Sequence, residues 1–403
     1  MEVAYVGNHG TKLLGFHNIN QPAPGSGFPA GEVAWCNSNI NSDPTGATTS
    51  YACDPSDATI APEQAARPFT LNGKFPYLGE IDQLSNLDKS NYNALQVTLT
   101  QRPTHGLSLL AGYTYSHGLD DGSNNSNDIV MPPDSRNPTA GIYGSSIFDI
   151  RHRLTLSTTY AIPGRKGLGQ LLQGWELNSV VTLQSPSPWG AQDMSNDFTG
   201  TNQVNELNSY GQTWNLAGSP NDFKAGRNVP TACWSGSGGS AISGCSILSV
   251  APTLSNPLGA PTACLNAVGS NLGELNTLSA VGCYISANGK SVLTPPALGG
   301  SIGNSGRNVF RDLGFRNWDV SVLKETKFKE RLTAQFRAEF FNVLNHPNFS
   351  DPNGPAGAGF NDPSTGGTGL FGCACNTPDQ AAPNPVLGTG GSRSIQLGLK
   401  LNW

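Results

Sequence analysis

The last ten residues, Ser394-Ile395-Gln396-Leu397-Gly398-Leu399-Lys400-Leu401-Asn402-Trp403, alternate apolar and polar side chains and end on a tryptophan. A strand sends successive side chains to opposite faces, so Ile395, Leu397, Leu399, Leu401 and Trp403 share one face. A stripe of that length with an aromatic at its end suits a strand that faces lipid on one side. Leu397, Leu399, Leu401 and Trp403 are therefore assigned to the closing strand of a membrane barrel, the strand that a bacterial barrel-assembly machinery would read.

Working back along the chain, the same period of two recurs. Leu332–Phe341 sets Leu332, Ala334, Phe336, Ala338 and Phe340 against Thr333, Gln335, Arg337 and Glu339. Asn317–Lys324, Trp175–Gln184, Arg153–Ile162, Gly106–Ser116 and Asn93–Gln101 repeat it, and a first strand falls within Glu2–Phe16, which makes eight. Most of these segments span about ten residues, longer than the five or six usual in soluble sheets and close to what a tilted strand needs to cross a bilayer. Their polar face carries Arg153, Glu176, Asp319, Arg337 and Glu339, charges of both signs that suit a wet lumen.

The connections alternate as well. Arg102–His105, Pro163–Leu172 and Glu325–Arg331 are short, whereas about 17–92, 117–152, 185–316 and 344–393 are long. Short turns at one rim and long loops at the other are the pattern of outer-membrane barrels, and this parity places Trp403 at the periplasmic rim. The expected fold is all-β: an antiparallel up-and-down transmembrane barrel region, residues 1–403, with about eight strands present. Aromatic residues near the strand ends (Tyr113, Tyr115, Tyr160, Trp175, Trp318, Phe340 and Trp403) read as an interfacial girdle.

Composition agrees. The chain has 403 residues, with 49 glycines, 29 prolines and only 13% charged residues, which disfavours long helices. One short helix is expected near Gly167–Gln173. No apolar run approaches a transmembrane helix, which leaves strand-built membrane proteins open. The net charge of -5 and the absence of a basic run interleaved with aromatics give no reason to expect a nucleic-acid partner, and none is expected. Met1 opens directly onto a strand without a signal peptide, so the chain is expected to be the C-terminal fragment of a larger barrel. The loops, above all Thr231–Gly303, are rich in Gly, Ser, Asn and Pro and are expected to be irregular, without an apolar core of their own.

All eight cysteines fall in the long loops. Sequential pairing would join Cys36 to Cys53, Cys233 to Cys245, Cys264 to Cys283 and Cys373 to Cys375, as in an oxidising compartment; free thiols and a metal site are the alternatives. Asp120-Asp121-Gly122, followed by Asn124, Asn125, Asn127 and Asp128, has oxygen ligands enough for calcium but lacks the terminal Glu of an EF-hand and reads as a hydrophilic loop tip. Gly299–Asn308 lacks the Lys-Ser/Thr of a phosphate loop and reads as flexible backbone before a strand. None of the six histidines sits in a catalytic context. No metal, cofactor or enzymatic activity is expected.

The stretches Gly303-Asn304-Ser305-Gly306-Arg307-Asn308, Asn317-Trp318-Asp319-Val320-Ser321-Val322 and Phe336–Phe349 resemble the C-terminal barrel region of Oar-like TonB-dependent receptors. Val3–Gly10, Asn91–Gln96 and Phe148-Asp149-Ile150-Arg151-His152-Arg153 fit the same family. The resemblance implies a wall portion of a 22-stranded barrel in the bacterial outer membrane, solute uptake, and engagement of TonB only through a plug domain that this sequence lacks. It implies no particular ligand-binding residue, and the solute is unknown. Two other readings remain: a self-closed outer-membrane barrel displaying adhesive or structural loops, and a soluble secreted carbohydrate-binding β-sandwich.

Overall fold

The computed structural model describes the chain outside residues 42–50, 72–74, 124–131, 133, 139–141, 165–169, 192, 194–195, 203, 205–210, 224–230, 238–245, 301, 329–331 and 350–390. Eight long strands form one antiparallel sheet in chain order: β1 (Glu2–Asn18), β2 (Asp82–Thr104), β3 (Leu107–Asp120), β4 (His152–Ala161), β5 (Trp175–Gln184), β6 (Phe315–Phe328), β7 (Leu332–Phe341) and β8 (Ser394–Asn402). A two-residue strand, Gly144–Ser145, pairs beside the outer end of β3. Among the described residues β1 and β8 are the two edges and are not paired with each other. All eight expected strands are present, and each neighbours the next.

Because directly opposed residues share a face, the register shows what each side of the sheet carries. Val322 lies opposite Leu177 and Ala338. Ala338 then faces Leu397, Leu177 faces Tyr160, and Tyr160 faces Leu107. A second row runs Leu154–Tyr113–Val97–Val3. One apolar band thus crosses every strand, and Tyr113, Tyr115, Tyr160, Trp175, Trp318 and Phe340 all stand on it. The band is open to its surroundings: Leu397 and Leu399 are 66% and 69% exposed. A single sheet with its apolar face uncovered is not a sandwich, whose two sheets would bury that face against each other.

The turn between β2 and β3 is as tight as a hairpin allows. His105 and Gly106 both have positive φ (53° and 83°), the requirement of a two-residue turn that follows the twist of the strands. A Cβ at Gly106 would lie 2.3 Å from the Ala161 carbonyl oxygen, so only glycine fits beside β4.

Three features depart from the sequence reading. First, β1, β2, β3 and β6 have 17, 23, 14 and 14 residues, well beyond ten, so the loops begin later than expected. Second, Gln170–Gln173, the described part of the expected helix, is a turn and bend. Trp175 Nε1 donates to the Leu171 carbonyl (2.8 Å) and fixes that turn.

Third, the described parts of the first and third long loops are folded. Residues 215–217, 232–234, 246–247, 283–285 and 292–294 form a five-stranded sheet, with α4 (Thr262–Val268) and α5 (Leu272–Val281) beside it. The first loop adds α1 (Glu32–Cys36), α2 (Ile60–Ala66) and α3 (Pro68–Leu71). Trp189, Phe198, Trp214, Tyr284, Leu293 and Phe310 make a core in which each is at most 2% exposed. Low apolar content hid this core because its members are scattered singly through polar sequence from Trp189 to Phe310; the ends of β5 and β6 bring the first and last of them together. Gly299–Asn308 is likewise packed: Gly299 N donates to the Phe198 carbonyl (2.7 Å) and Gly303 N to that of Thr213 (2.8 Å). Those amides are taken by protein and form no phosphate cradle.

Disulfides join Cys36 to Cys53 and Cys264 to Cys283, as sequential pairing predicted. Cys233 is also disulfide-bonded. Cys245, Cys373 and Cys375 lie outside the described residues.

Candidate functional site: the polar face and its loop cap

Opposite the apolar band, the register assembles a polar face. Ser321 lies between Asn178 and Glu339, and Glu339 faces Gln396; Leu323 lies between Glu176 and Arg337. Arg153 lies between Thr114 and Gln184, and Asp319 pairs with Val180. The five charged residues singled out from the sequence therefore share one face of one sheet. None of them is buried.

Local contacts hold several of these groups in place. Glu176 accepts from Asn178 Nδ2 (2.9 Å), whose Oδ1 accepts from Thr159 Oγ1 (2.7 Å), a ladder across β4 and β5. Arg337 Nη1 meets Glu339 Oε1 at 3.5 Å on the same strand. Asp319 has a different job: it accepts from Asn317 Nδ2 (2.9 Å) and from the Asn342 amide (2.8 Å), where β7 leaves the sheet. It fastens a loop end.

A charge also stands on the apolar face. Lys324, opposite Trp175 and Phe336, lies at the short-turn end, where its Nζ donates to the carbonyls of Gln170 (2.6 Å) and Gln173 and sits 5.6 Å from the Trp175 ring centroid. Its stem covers apolar surface while the ammonium turns back to the polar rim.

At the other rim, two buried clusters tie the loops to the strand ends. Arg307, from the third long loop, has a fully buried side chain; its Nη1 reaches Asp120 Oδ1 at 2.7 Å, and its Nη2 donates to Ser123. Asp120, weighed from sequence as part of a calcium loop, is paired with this guanidinium, and Asn124, Asn125, Asn127 and Asp128 of that loop lie outside the described residues. In the second cluster Asp149, with no side-chain exposure, meets Arg151 Nε (3.0 Å), Arg311 Nη2 (2.9 Å), His117 Nδ1 (3.2 Å) and the Gly118 amide (2.9 Å). Burial opposes its charge, but the Gly118 amide, Arg311, His117 and Arg151 outweigh that and hold the carboxyl below its ordinary value.

Sequence reasoning did not single out Arg307, Arg311 or Asp149. Yet Asp149 and Arg151 lie in the stretch Phe148–Arg153, and Arg307 and Asn308 in Gly303–Asn308. The same holds for Asn342, whose Oδ1 accepts from the His346 amide (2.9 Å), and Asn348, which caps Arg316 through both its amide and its carbonyl oxygen (2.9 and 2.7 Å). These residues are joints between strands and loops.

Residues 1–372, which include seven of the eight wall strands, match the family model described as "Outer membrane beta barrel domain". The chain belongs to this family. No curated protein matches it. As an outer-membrane barrel domain the chain is a protein of the bacterial outer membrane, which accounts for an apolar band left uncovered by protein. No helix among the described residues is long and apolar enough to cross a membrane; crossing falls to the strands.

Proposed function

We propose that this outer-membrane barrel domain is part of the wall of a TonB-dependent, Oar-like transporter that takes up a solute across the outer membrane. The observation that carries the reading is the open polar face flanked by two edge strands, β1 and β8, which among the described residues do not pair with each other. An eight-stranded barrel closed on itself fills its interior with side chains, whereas Arg153, Glu176, Asp319, Arg337 and Glu339 all keep solvent access. A lipid-facing strand edge leaves backbone groups without partners, so the wall is read as continuing into further strands around a wider lumen. In this reading those five residues line the lumen or meet a plug domain, and TonB acts through that plug. The short turns face the periplasm, and the loop cap is the extracellular, solute-facing surface. The wall's role is passage, with no reaction assigned to it.

The test compares the solutes that cells remove from their medium, by mass spectrometry, in the parent strain, a strain lacking this gene and a strain lacking TonB. The same solute left behind in both deletions is the expected result. A solute retained only in the gene deletion marks an unenergised pore and overturns the TonB step. Unchanged solutes together with lost surface attachment would favour the self-closed display barrel, for which the interlocked cap is the supporting feature.

A further inference from the structure

The first and third long loops meet at a point that the wall reading does not use. Gly27 N donates to the Gly200 carbonyl (2.9 Å), and Gly25 N to that of Thr199 (2.6 Å). Thr59, which precedes α2, donates its amide to the Gly27 carbonyl (2.9 Å), so α2 is pinned against the same seam. A Cβ at Gly27 would lie 2.7 Å from both the Gly200 carbonyl oxygen and Glu63 Cγ, which shows how closely the loops approach.

Two carboxyl groups lie in this seam close enough to act on each other by charge and by a side-chain hydrogen bond. Glu63 of α2 is 2% exposed and Asp197 of the third loop 5% exposed. Four donors converge on Asp197: the amides of Gly200 (2.8 Å) and Asn202 (2.6 Å), Thr199 Oγ1 (2.9 Å) and Gln212 Nε2 (2.6 Å). That set suits a carboxylate, which only accepts. Glu63 Oε2 is buried and accepts no hydrogen bond from any described residue, an arrangement suited to an acid that donates rather than accepts. The other charged group acting on Glu63 is Arg67, one turn on, whose Nη1 donates to the Asn20 carbonyl (3.2 Å).

We infer that Glu63 and Asp197 form a proton-held latch between the first and third long loops, closed when a protonated Glu63 hydrogen-bonds to Asp197 and loosened when that proton leaves. Burial first, and the Asp197 charge second, push the Glu63 carboxyl up to about 8, while Arg67 works weakly the other way. When the seam opens, Glu63 returns toward its ordinary value near 4.5. Opening therefore releases a proton between these limits. The opening equilibrium should rise by up to about tenfold per pH unit across that window and level off above about pH 8. Outside pH would thereby set how firmly two parts of the cap are joined.

The test is amide hydrogen exchange at Gly27 and Gly200 in the intact protein in detergent micelles, from pH 5 to 9, with Glu63→Gln as the reference for intrinsic exchange chemistry. A glutamine keeps a neutral donor toward Asp197 and cannot titrate. The latch requires opening of the wild type, relative to this variant, to grow at least tenfold from pH 6 to 8, and Glu63→Ala to be open throughout. A pH-independent ratio overturns it. So does loss of the pH dependence on adding calcium chloride, which would mean that a cation, and not a proton, holds the pair.

Discussion

Arg307 and Asp120 meet at 2.7 Å across 187 residues of sequence, with the guanidinium wholly removed from solvent. The pair joins the end of the third long loop to the outer end of β3. Removing one member of a buried pair leaves the other charge uncompensated, at a cost of about 3–5 kcal/mol. Arg307→Ala is therefore expected to release the cap while the sheet persists. Limited proteolysis should show early cleavage within 185–314 with the heat-modifiable gel mobility retained; a cap as resistant as wild type would contradict this role.

The register makes a sharp distinction between adjacent residues of β6. Val322 lies on the apolar band and Ser321 on the polar face. Val322→Arg should cost about 2–4 kcal/mol if the band meets the bilayer midplane. Ser321→Arg should stay within about 0.5 kcal/mol. Folding titrations into vesicles measure both, and equal costs would refute the assignment of faces.

The Cys264–Cys283 bridge closes a span of 19 residues that includes α5. Chain-entropy arguments assign such a loop about 3 kcal/mol. The double variant to alanine should lower the cap's unfolding midpoint in denaturant and leave the sheet's transition in place. A single transition that shifts as a whole would show that the two parts unfold as one.

Asp149 supplies an acid-sensitive joint. Its carboxyl is held below its ordinary value in the folded protein, so its stabilising contribution is present above the unfolded pKa of about 3.9 and is lost as pH falls through the depressed one. Protection of the Gly118 amide, which donates to Asp149, should fall only below about pH 4 once the pH dependence of intrinsic exchange is divided out. Asp149→Asn should remove that acid dependence; an unchanged profile in the variant would assign the effect to another group.

The wall was legible because its rule is local: a period of two persists through Leu332–Phe341 and Ser394–Trp403 whatever lies elsewhere. Strand height was less legible. Above the band, β1 and β2 continue through Gly7–Asn18 and Asp82–Tyr92, where both faces are polar or mixed and alternation fades. The cap escaped for a different reason. Trp189, Trp214 and Phe310 show no period, and each is isolated in polar sequence; only their meeting makes a core. The charged candidates Arg153, Glu176, Arg337 and Glu339 were found because they occupy the polar positions of an alternating pattern. Arg307 and Asp149 sit in loops, where no such pattern marks a face.

The molecule has its dry core in the loops and its greasy surface on the sheet. Trp189 and Phe310 are tethered to the ends of β5 and β6, far apart in sequence, so their end of the core closes only when those strands stand side by side. The entropy of closing those spans is largely met by sheet formation, after which the loops search only a short distance. Assembly thus has a direction: the membrane-embedded part is the template, and the cap is cast upon it last. A lesion anywhere in the wall register should accordingly appear first as a misfolded surface, well away from the residue that caused it.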